Sequence, residues 1–241
     1  LMGKPLPVAA VSALFDTLGP RKHKAAARQI QFLVDTPARL IEMGKLARKR
    51  QITLRVNLEI DVGLHRGGME AGLALDAALS HLAQTPNLEL SGLMGYEPHL
   101  SKLPKLAGWR RRARAGAVSA YVAARAQVAQ YYSPAQIEKM TFNTAGSPTF
   151  GLYTAVEHAN EISAGSALVK PSDFDLPLLQ GFEPAAFIAT PALKVSQGVR
   201  LPALEHANNL LGKTQSGSTI FIHGGYWMAQ AVFPPRLKNS A

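Results

Sequence analysis

The chain has 241 residues, of which 47% are hydrophobic and 17% charged, and this balance excludes a disordered chain. It contains no cysteine, which excludes a disulfide framework, a thiolate nucleophile and a cysteine-ligated metal. The net charge of +10 suggests an anionic partner, but the densest basic run, WRRRAR at residues 109–114, lacks the spread of basic and aromatic residues typical of nucleic-acid modules. We therefore expect a cytoplasmic globular protein that binds a small anionic ligand, and neither a nucleic acid nor a membrane.

Strands alternate with helices over the first two thirds of the chain. The first strand, at residues 31–34, is followed by Asp35, Thr36 and Pro37, which cap and start a helix to about Arg50. The elements predicted after it, in chain order, are a strand at 52–61, a helix at 69–84, a strand at 88–94, a long helix from 109 to 131, and strands at 140–143 and 161–163.

The stretch ITLRVNLEIDVGLHR, residues 52–66, places apolar side chains on one face of its strand and polar ones on the other. The polar face comprises Arg55, Asn57, Glu59 and Asp61. A strand of this kind between helices indicates the interior of a parallel barrel near its mouth, where polar side chains meet a ligand.

Polar clusters follow each of these strands, and this regularity predicts the fold. Loops that follow the C-terminal ends of strands share one pocket in a (β/α)8 barrel, whereas a doubly wound sheet would carry a dinucleotide signature that this sequence lacks. About five of the eight strands are visible, so we predict an α/β fold with a partial TIM-type barrel over residues 1–175. The Pro- and Gly-punctuated, β-rich segments that follow, at 185–195 and 218–227, predict the beginning of a C-terminal β domain over residues 176–241.

Two loops have the composition of a phosphate site. The TAGSPTFG loop, residues 144–151, offers glycines, hydroxyls and backbone N–H groups, and the SAGS loop, residues 163–166, repeats this chemistry after the next strand. An isolated loop of this kind is more often an ordinary turn. Two neighbouring donor loops at one end of a barrel favour a phosphate site.

Three side chains after earlier strands are candidates for the same pocket. Arg66 is a permanent cation that could contact a phenolate or carboxylate, or could form a surface ion pair with Asp61 or Glu59. His99 is either an acid–base group, a flat partner beside an aromatic ring, or a solvated loop residue, and Tyr96 either borders the pocket or packs at the rim. No pair of histidines or carboxylates has metal-ligand spacing, so we predict no metal site.

Four segments in order, LEIDVGLHRGG, LSGLMGYEPHLS, FNTAGSPTFG and NEISAGSALVKPSDFD, resemble the pyridoxal-phosphate enzymes of the alanine racemase fold (fold type III). The likeness spans residues 31–175 and is strongest to the D-serine dehydratase and D-threonine aldolase branch. It implies that Arg66 lies beside the ring oxygen of the cofactor and that Tyr96 and His99 border the ring. The residues that it implies at the cofactor phosphate are Gly146, Ser147, Thr149, Gly165 and Ser166.

Two departures from the family pattern decide how far the resemblance extends. Alanine racemases carry an arginine against the pyridine nitrogen where this chain has Ser163, which argues for elimination or retro-aldol chemistry over racemisation. The family's Schiff-base lysine ends the first barrel strand in a segment like HxKT, and the chain shows no equivalent. Lys22 and Lys24 in RKHK precede a strand, and Lys4 lies in a loop that resembles the region after a later strand.

The resemblance therefore implies a pyridoxal-phosphate-dependent lyase acting on a small D-amino acid, as a homodimer when intact, with a divalent metal left open. The missing lysine and the low strand count predict a fragment or a naturally shortened relative that is inactive alone. Because the family's β domain supplies further active-site groups, the resemblance implies that the chain is also shortened at its C-terminal end. No catalytic residue is assigned beyond the candidate His99. Two other functions stay open: a non-catalytic protein that binds pyridoxal phosphate or phosphate, and an amino-acid racemase of the same fold.

Overall fold

The computed structural model describes residues 3–104, 108–153, 158–197 and 218–224. They belong to two compact units that divide between Glu183 and Pro184. The first unit holds a parallel sheet with its helices, and the second holds a small antiparallel sheet.

The first unit alternates helices with parallel strands. Its strands are β1 Gln31–Val34, β2 Leu54–Ile60, β3 Leu88–Gly95, β4 Thr141–Thr144 and β5 Glu161–Ile162. Its α-helices are α1 Val8–Leu18, α2 Pro20–Gln29, α3 Pro37–Arg50, α4 Leu73–Ala83, α5 His99–Lys102, α6 Trp109–Val128 and α7 Pro134–Ile137. Four short 3-10 helices follow β4 and β5, at Phe150–Leu152, Ser166–Leu168, Ser172–Phe174 and Pro177–Leu179.

The five strands form one sheet in the order β1-β2-β3-β4-β5, and every neighbouring pair is parallel. Sequential parallel strands joined by helices are the arrangement of a (β/α)8 barrel, of which this sheet is a part. The prediction of a partial barrel with about five strands is confirmed.

The two faces of β2 have the characters that its sequence predicts. Leu54, Val56, Leu58 and Ile60 are buried in the main hydrophobic core, which also takes in side chains of the helices. On the other face Asn57 is fully buried, and its Nδ2 donates to Oε1 of Gln31 on β1 over 2.6 Å. The second face of β2 therefore carries a buried, hydrogen-bonded polar side chain, as expected near a ligand site.

Helix α3 begins where the sequence predicts. Thr36 is its N-cap, with a hydroxyl that accepts from the N–H of Arg39 over 3.2 Å, and Pro37 occupies the first turn, where a missing N–H has no cost. Lys22 and Lys24 lie within α2, and neither ends a strand.

Helix α4 begins at Leu73, four residues later than the predicted start at Met69. Met69 instead bridges to the end of β2, where its N–H donates to the Glu59 carbonyl and its carbonyl accepts from Asp61. Gly72 has a φ of 133°, which is incompatible with a helix. The long helix α6 likewise ends at Val128, three residues short of the predicted Tyr131.

The second unit contains two strands, β6 Ala192–Gln197 and β7 Ser218–Ile222, which pair antiparallel. The predicted C-terminal β structure is thus present, although residues 225–227 of the predicted strand lie outside the described residues. No helix among the described residues combines the length and apolar character needed to cross a membrane.

Candidate functional site

Four segments that follow β2, β3, β4 and β5 lie at the carboxyl edge of the parallel sheet. They are residues 61–66, residues 95–99, the TAGSPTFG loop and the SAGS loop. Because all these strands run in the same direction, their carboxyl ends meet at one edge. The sheet thereby brings together residues that are up to 105 positions apart in the sequence, from Asp61 to Ser166.

Tyr96 is in contact with two of the other predicted site residues. The guanidinium carbon of Arg66 lies 4.9 Å from the centre of its ring, within the range of a cation–π interaction. Gly146 lies so close to the same ring that a Cβ there would overlap it. Arg66, Tyr96 and Gly146 therefore form one contiguous group.

The two loops of the predicted phosphate site are joined by a hydrogen bond. The N–H of Ala167, directly after the SAGS loop, donates to Oγ of Ser147 over 3.0 Å, and both residues are buried. Ser163, at the start of the SAGS loop, donates to Oδ1 of Asn143 on β4 over 3.0 Å. These contacts fix the two loops against each other.

Several backbone donors in these loops are available to an anion. Within the described part of the chain, the N–H groups of Gly146, Ser147, Gly165 and Ser166 have no hydrogen-bond acceptor. Among the described residues, no atom outside its chain neighbours lies within 4 Å of the position that a Cβ on Gly165 would take, so they leave the space beside it open. Unpaired N–H groups with small side chains are the donor set that a phosphate requires.

Thr149 is engaged inside its own loop. It is fully buried, its N–H donates to the Gly146 carbonyl over 2.9 Å, and its hydroxyl donates to Oε1 of Glu97 over 3.1 Å. The hydroxyl predicted to reach the phosphate thus points at a buried carboxyl group. The role of Thr149 at a phosphate stays a prediction.

Glu97 is a site residue that the sequence did not indicate. It is 1% exposed, and it accepts hydrogen bonds from the hydroxyls of Thr149 over 3.1 Å and of Thr144 over 3.4 Å. Burial raises the pKa of its carboxyl group above the ordinary value, and the donors of Thr149, Tyr153, Ala145 and Thr144 partly oppose this rise. Its place in GYEPH, between two predicted ring contacts, is the signal that could have drawn attention to it.

The loop after β2 is organised by Asp61. Its Oδ1 accepts from the N–H groups of Gly63 and His65, and its Oδ2 lies 2.8 Å from Nδ1 of His65. Partial burial acts to raise the pKa of Asp61, but the hydrogen bonds from His65 and Gly63 outweigh it and hold the pKa below the usual range. This loop sets the position of Arg66.

Asp61, His65 and Glu70 present ligand atoms within 4.8 Å of one another. Both oxygens of Asp61 already serve the loop, and His65 and Glu70 are exposed. The arrangement is explained by loop structure, and the absence of a metal site stays a prediction.

His99 is the first residue of α5 and faces the same loop. Its Nε2 lies 3.8 Å from the position that a Cβ on Gly63 would take, and its buried Nδ1 has no partner among the described residues. Burial lowers the pKa of His99, and the nearby His65 lowers it further, while Asp61 opposes both. The ring is therefore held in its neutral form near pH 7.

Arg66 makes no ion pair within 4.0 Å in the parts of the chain that the structure describes. Burial raises the pKa of Glu59, and the charge of Arg66 lowers it, so the two groups interact electrostatically without touching. The exposed guanidinium remains available to a ligand on the Tyr96 side.

Two comparisons relate this chain to known proteins, by its sequence and by its fold. The sequence matches the family described as "Alanine racemase, N-terminal domain" over residues 10–173. The chain belongs to this family. Its characterised members depend on pyridoxal phosphate, and the resemblance seen in the four motifs is confirmed.

The sheet also resembles solved structures of the same fold. A D-threonine aldolase from Filomicrobium marinum superposes with a TM-score of 0.54 at 21% identity, covering 69% of this chain and 46% of that one. An alanine racemase from Bacillus anthracis with bound L-Ala-P gives 0.56 at 18% identity, covering 76% and 47%. An alanine racemase from Clostridium difficile in complex with cycloserine gives 0.51 at 15% identity, covering 69% and 44%.

The chain spans less than half the length of each of these proteins. At identities this low the likeness establishes the fold, and both lyases and racemases share it. A comparison with curated proteins finds no match.

Proposed function

We propose that this chain forms the phosphate and ring side of a pyridoxal-phosphate site in a lyase that acts on a D-amino acid. The observation that supports it most directly is the hydrogen bond from the N–H of Ala167 to Ser147, which joins the two donor loops. The loops present four unpaired N–H groups of the described chain beside Tyr96 and Arg66. An anion and an attached aromatic ring fit this donor set.

Each group of residues has a distinct task in this proposal. The N–H groups of Gly146, Ser147, Gly165 and Ser166 bind the phosphate, and the ring of Tyr96 orients the cofactor ring. Arg66 faces the ring oxygen, where a permanent cation stabilises negative charge. His99, held neutral by burial, borders the ring on the side of the loop after β2. When bound, the cofactor supplies an electron sink for loss of the substrate α-proton.

The lyase reaction is favoured over racemisation by the residue at position 163. Ser163 is neutral and donates to Asn143 over 3.0 Å, so it brings no cation to the pyridine nitrogen. A pyridine nitrogen that keeps its proton is the stronger electron sink, which suits elimination and retro-aldol reactions. We also propose a homodimer, with a metal requirement open to test.

A second candidate is a non-catalytic protein that binds pyridoxal phosphate. The observation that favours it is the lack of any lysine in the four strand-end segments, residues 61–66, 95–99, 144–151 and 163–166. Without a lysine at the cofactor, binding would be non-covalent.

Both candidates are tested by mixing the purified chain with pyridoxal phosphate, adding borohydride, and measuring retained cofactor by mass spectrometry. The proposal predicts saturable, phosphate-dependent binding, no adduct on this chain, and no turnover of D-serine or D-threonine by it alone. Failure to bind pyridoxal phosphate would exclude both candidates. A trapped lysine adduct together with turnover would show that the chain contains its own Schiff-base lysine.

A further inference from the structure

Glu97 is a buried carboxyl group whose hydrogen-bond donors come from both ends of one loop. Thr144 and Ala145 lie at the beginning of the TAGSPTFG loop, and Thr149 and Tyr153 lie near and just beyond its end. Glu97 itself follows β3, directly after Tyr96. A single carboxyl group thus connects the β3 end to both ends of the neighbouring loop.

The burial of Glu97 is not explained by an ion pair. In the residues that the structure describes, no lysine, arginine or histidine nitrogen lies within 4.0 Å of it. Burying an unpaired carboxyl group is costly, and hydrogen bonds offset only part of that cost. A costly group at the edge of a ligand site is more often kept for function than for stability.

The hydrogen bonds to Glu97 determine which donors the loop presents to a ligand. The N–H of Ala145 and the hydroxyl of Thr149 are directed inward to the carboxyl group, whereas the N–H groups of Gly146 and Ser147 remain without an acceptor among the described residues. If the bonds to Glu97 were lost, the loop could rearrange, and the N–H groups of Gly146 and Ser147 could then bond to acceptors within the loop. The carboxyl group therefore keeps these N–H groups available.

We propose that Glu97 is a positioning residue for phosphate, which acts by holding the TAGSPTFG loop with its free N–H groups outward. This inference rests on the proposed function, because it assigns Glu97 to the same cofactor site. Glu97 does not contact the ligand in this account, and its effect passes through Thr144, Ala145, Thr149 and Tyr153.

The test compares pyridoxal phosphate with pyridoxal, which differs only in lacking the phosphate. Dissociation constants for both are measured by equilibrium dialysis on the full chain and on Glu97→Gln, which keeps the side-chain size but replaces an acceptor oxygen with a donor NH2. We expect pyridoxal phosphate to bind about tenfold more weakly to the variant, while pyridoxal changes less than about twofold. The 31P resonance of bound pyridoxal phosphate is expected to move toward that of the free cofactor.

Asp76→Asn is the matched control. Asp76 accepts a hydroxyl hydrogen bond from Tyr131 over 2.6 Å, as Glu97 does from its partners, but lies on α4 outside the four strand-end segments. We expect the preference for pyridoxal phosphate over pyridoxal to be unchanged in this variant.

Each result has a defined consequence. If the unaltered chain binds pyridoxal phosphate no more tightly than pyridoxal, the proposed function and this inference both fail. If the unaltered chain has the preference and Glu97→Gln retains it, or loses affinity for both ligands equally, the role of Glu97 alone is refuted.

A second variant serves if Glu97→Gln does not fold. Tyr153→Phe removes one hydroxyl from the carboxyl group and leaves the carboxyl group in place. We expect the affinity for pyridoxal phosphate to fall by about threefold, with little change in the affinity for pyridoxal. An unchanged ratio of the two dissociation constants in Tyr153→Phe would contradict the inference.

Discussion

Gly146 lies against the ring of Tyr96, so closely that any side chain at position 146 would overlap the ring. The two residues follow neighbouring strands, β4 and β3, and each was predicted from its motif to contact a different part of the cofactor. Their contact makes the phosphate loop and the ring platform one unit. Displacement of either residue therefore changes both.

Gly146→Ala tests this contact. The added methyl group must push the ring of Tyr96 or the loop aside, so we expect a loss of at least about tenfold in affinity for pyridoxal phosphate and about 1–3 kcal/mol of stability. Equilibrium dialysis and urea unfolding measure the two effects.

Gly116→Ala is the control for this substitution. Gly116 lies within α6, and no neighbouring side chain of the described residues lies within 4 Å of the Cβ that alanine would add. We expect a gain of about 0.5–1 kcal/mol in stability and unchanged binding, because alanine favours the helix. Equal effects of the two substitutions would show that the Gly146 contact has no special importance.

Ser147→Ala tests the bond between the two loops. It removes the acceptor of the buried Ala167 N–H, and an unpaired buried donor costs about 1–3 kcal/mol. We expect that loss of stability in urea unfolding, together with weaker binding of pyridoxal phosphate, since the SAGS loop loses its hydrogen bond to the TAGSPTFG loop. Ser119→Ala, on an exposed part of α6, should leave binding unchanged and should not lower stability, because alanine favours the helix.

The sequence was sufficient to predict the strands and the segments that follow them. The alternation of apolar and polar residues within β2 and the donor-rich loops after β4 and β5 are local signals. It was insufficient where a distant part of the chain decides the outcome. Met69 was expected to start a helix but pairs with β2, and this pairing delays α4 to Leu73. The place of Glu97 between Tyr96 and His99 was a weak local signal, but its burial and hydrogen bonding depend on Thr149, which is 52 residues away.

Asp61→Asn tests the loop that carries Arg66. The carboxylate accepts three hydrogen bonds from Gly63 and His65, and an amide accepts fewer and more weakly, so we expect a loss of about 1–3 kcal/mol at pH 7. The hydrogen bonds from His65 and Gly63 lower the pKa of Asp61 in the folded protein against the opposing effect of burial. This contribution is therefore present above the unfolded-state pKa and disappears as the pH falls through the folded-state pKa.

Urea unfolding of the unaltered chain and of Asp61→Asn between pH 2 and pH 7 measures this difference. Asp16→Asn is the control, because the side chain of Asp16 is 67% exposed although its partner Arg50 is largely buried, and we expect a smaller loss of stability than in Asp61→Asn. If the free energies of unfolding of the unaltered chain and of Asp61→Asn differ by a constant amount over this pH range, the lowered pKa of Asp61 would be contradicted.

The contribution of Glu97 to stability should depend on pH with the opposite sign to that of Asp61. Burial raises the pKa of its carboxyl group in the folded protein above the ordinary value of 4.5, so the folded state holds this proton more tightly than the unfolded state does. The stability contributed by Glu97 is therefore greatest below pH 4.5 and falls as the pH rises toward the folded-state pKa, above which the change is complete.

Glutamine has no such transition, so the free energy of unfolding of the unaltered chain minus that of Glu97→Gln should decrease with rising pH. Glu59, whose pKa is also raised by burial, is present in both proteins and cancels in this difference. A difference that rises with pH would mean that the carboxylate form is the better-stabilised one, and the account of Glu97 as a desolvated acid would be wrong.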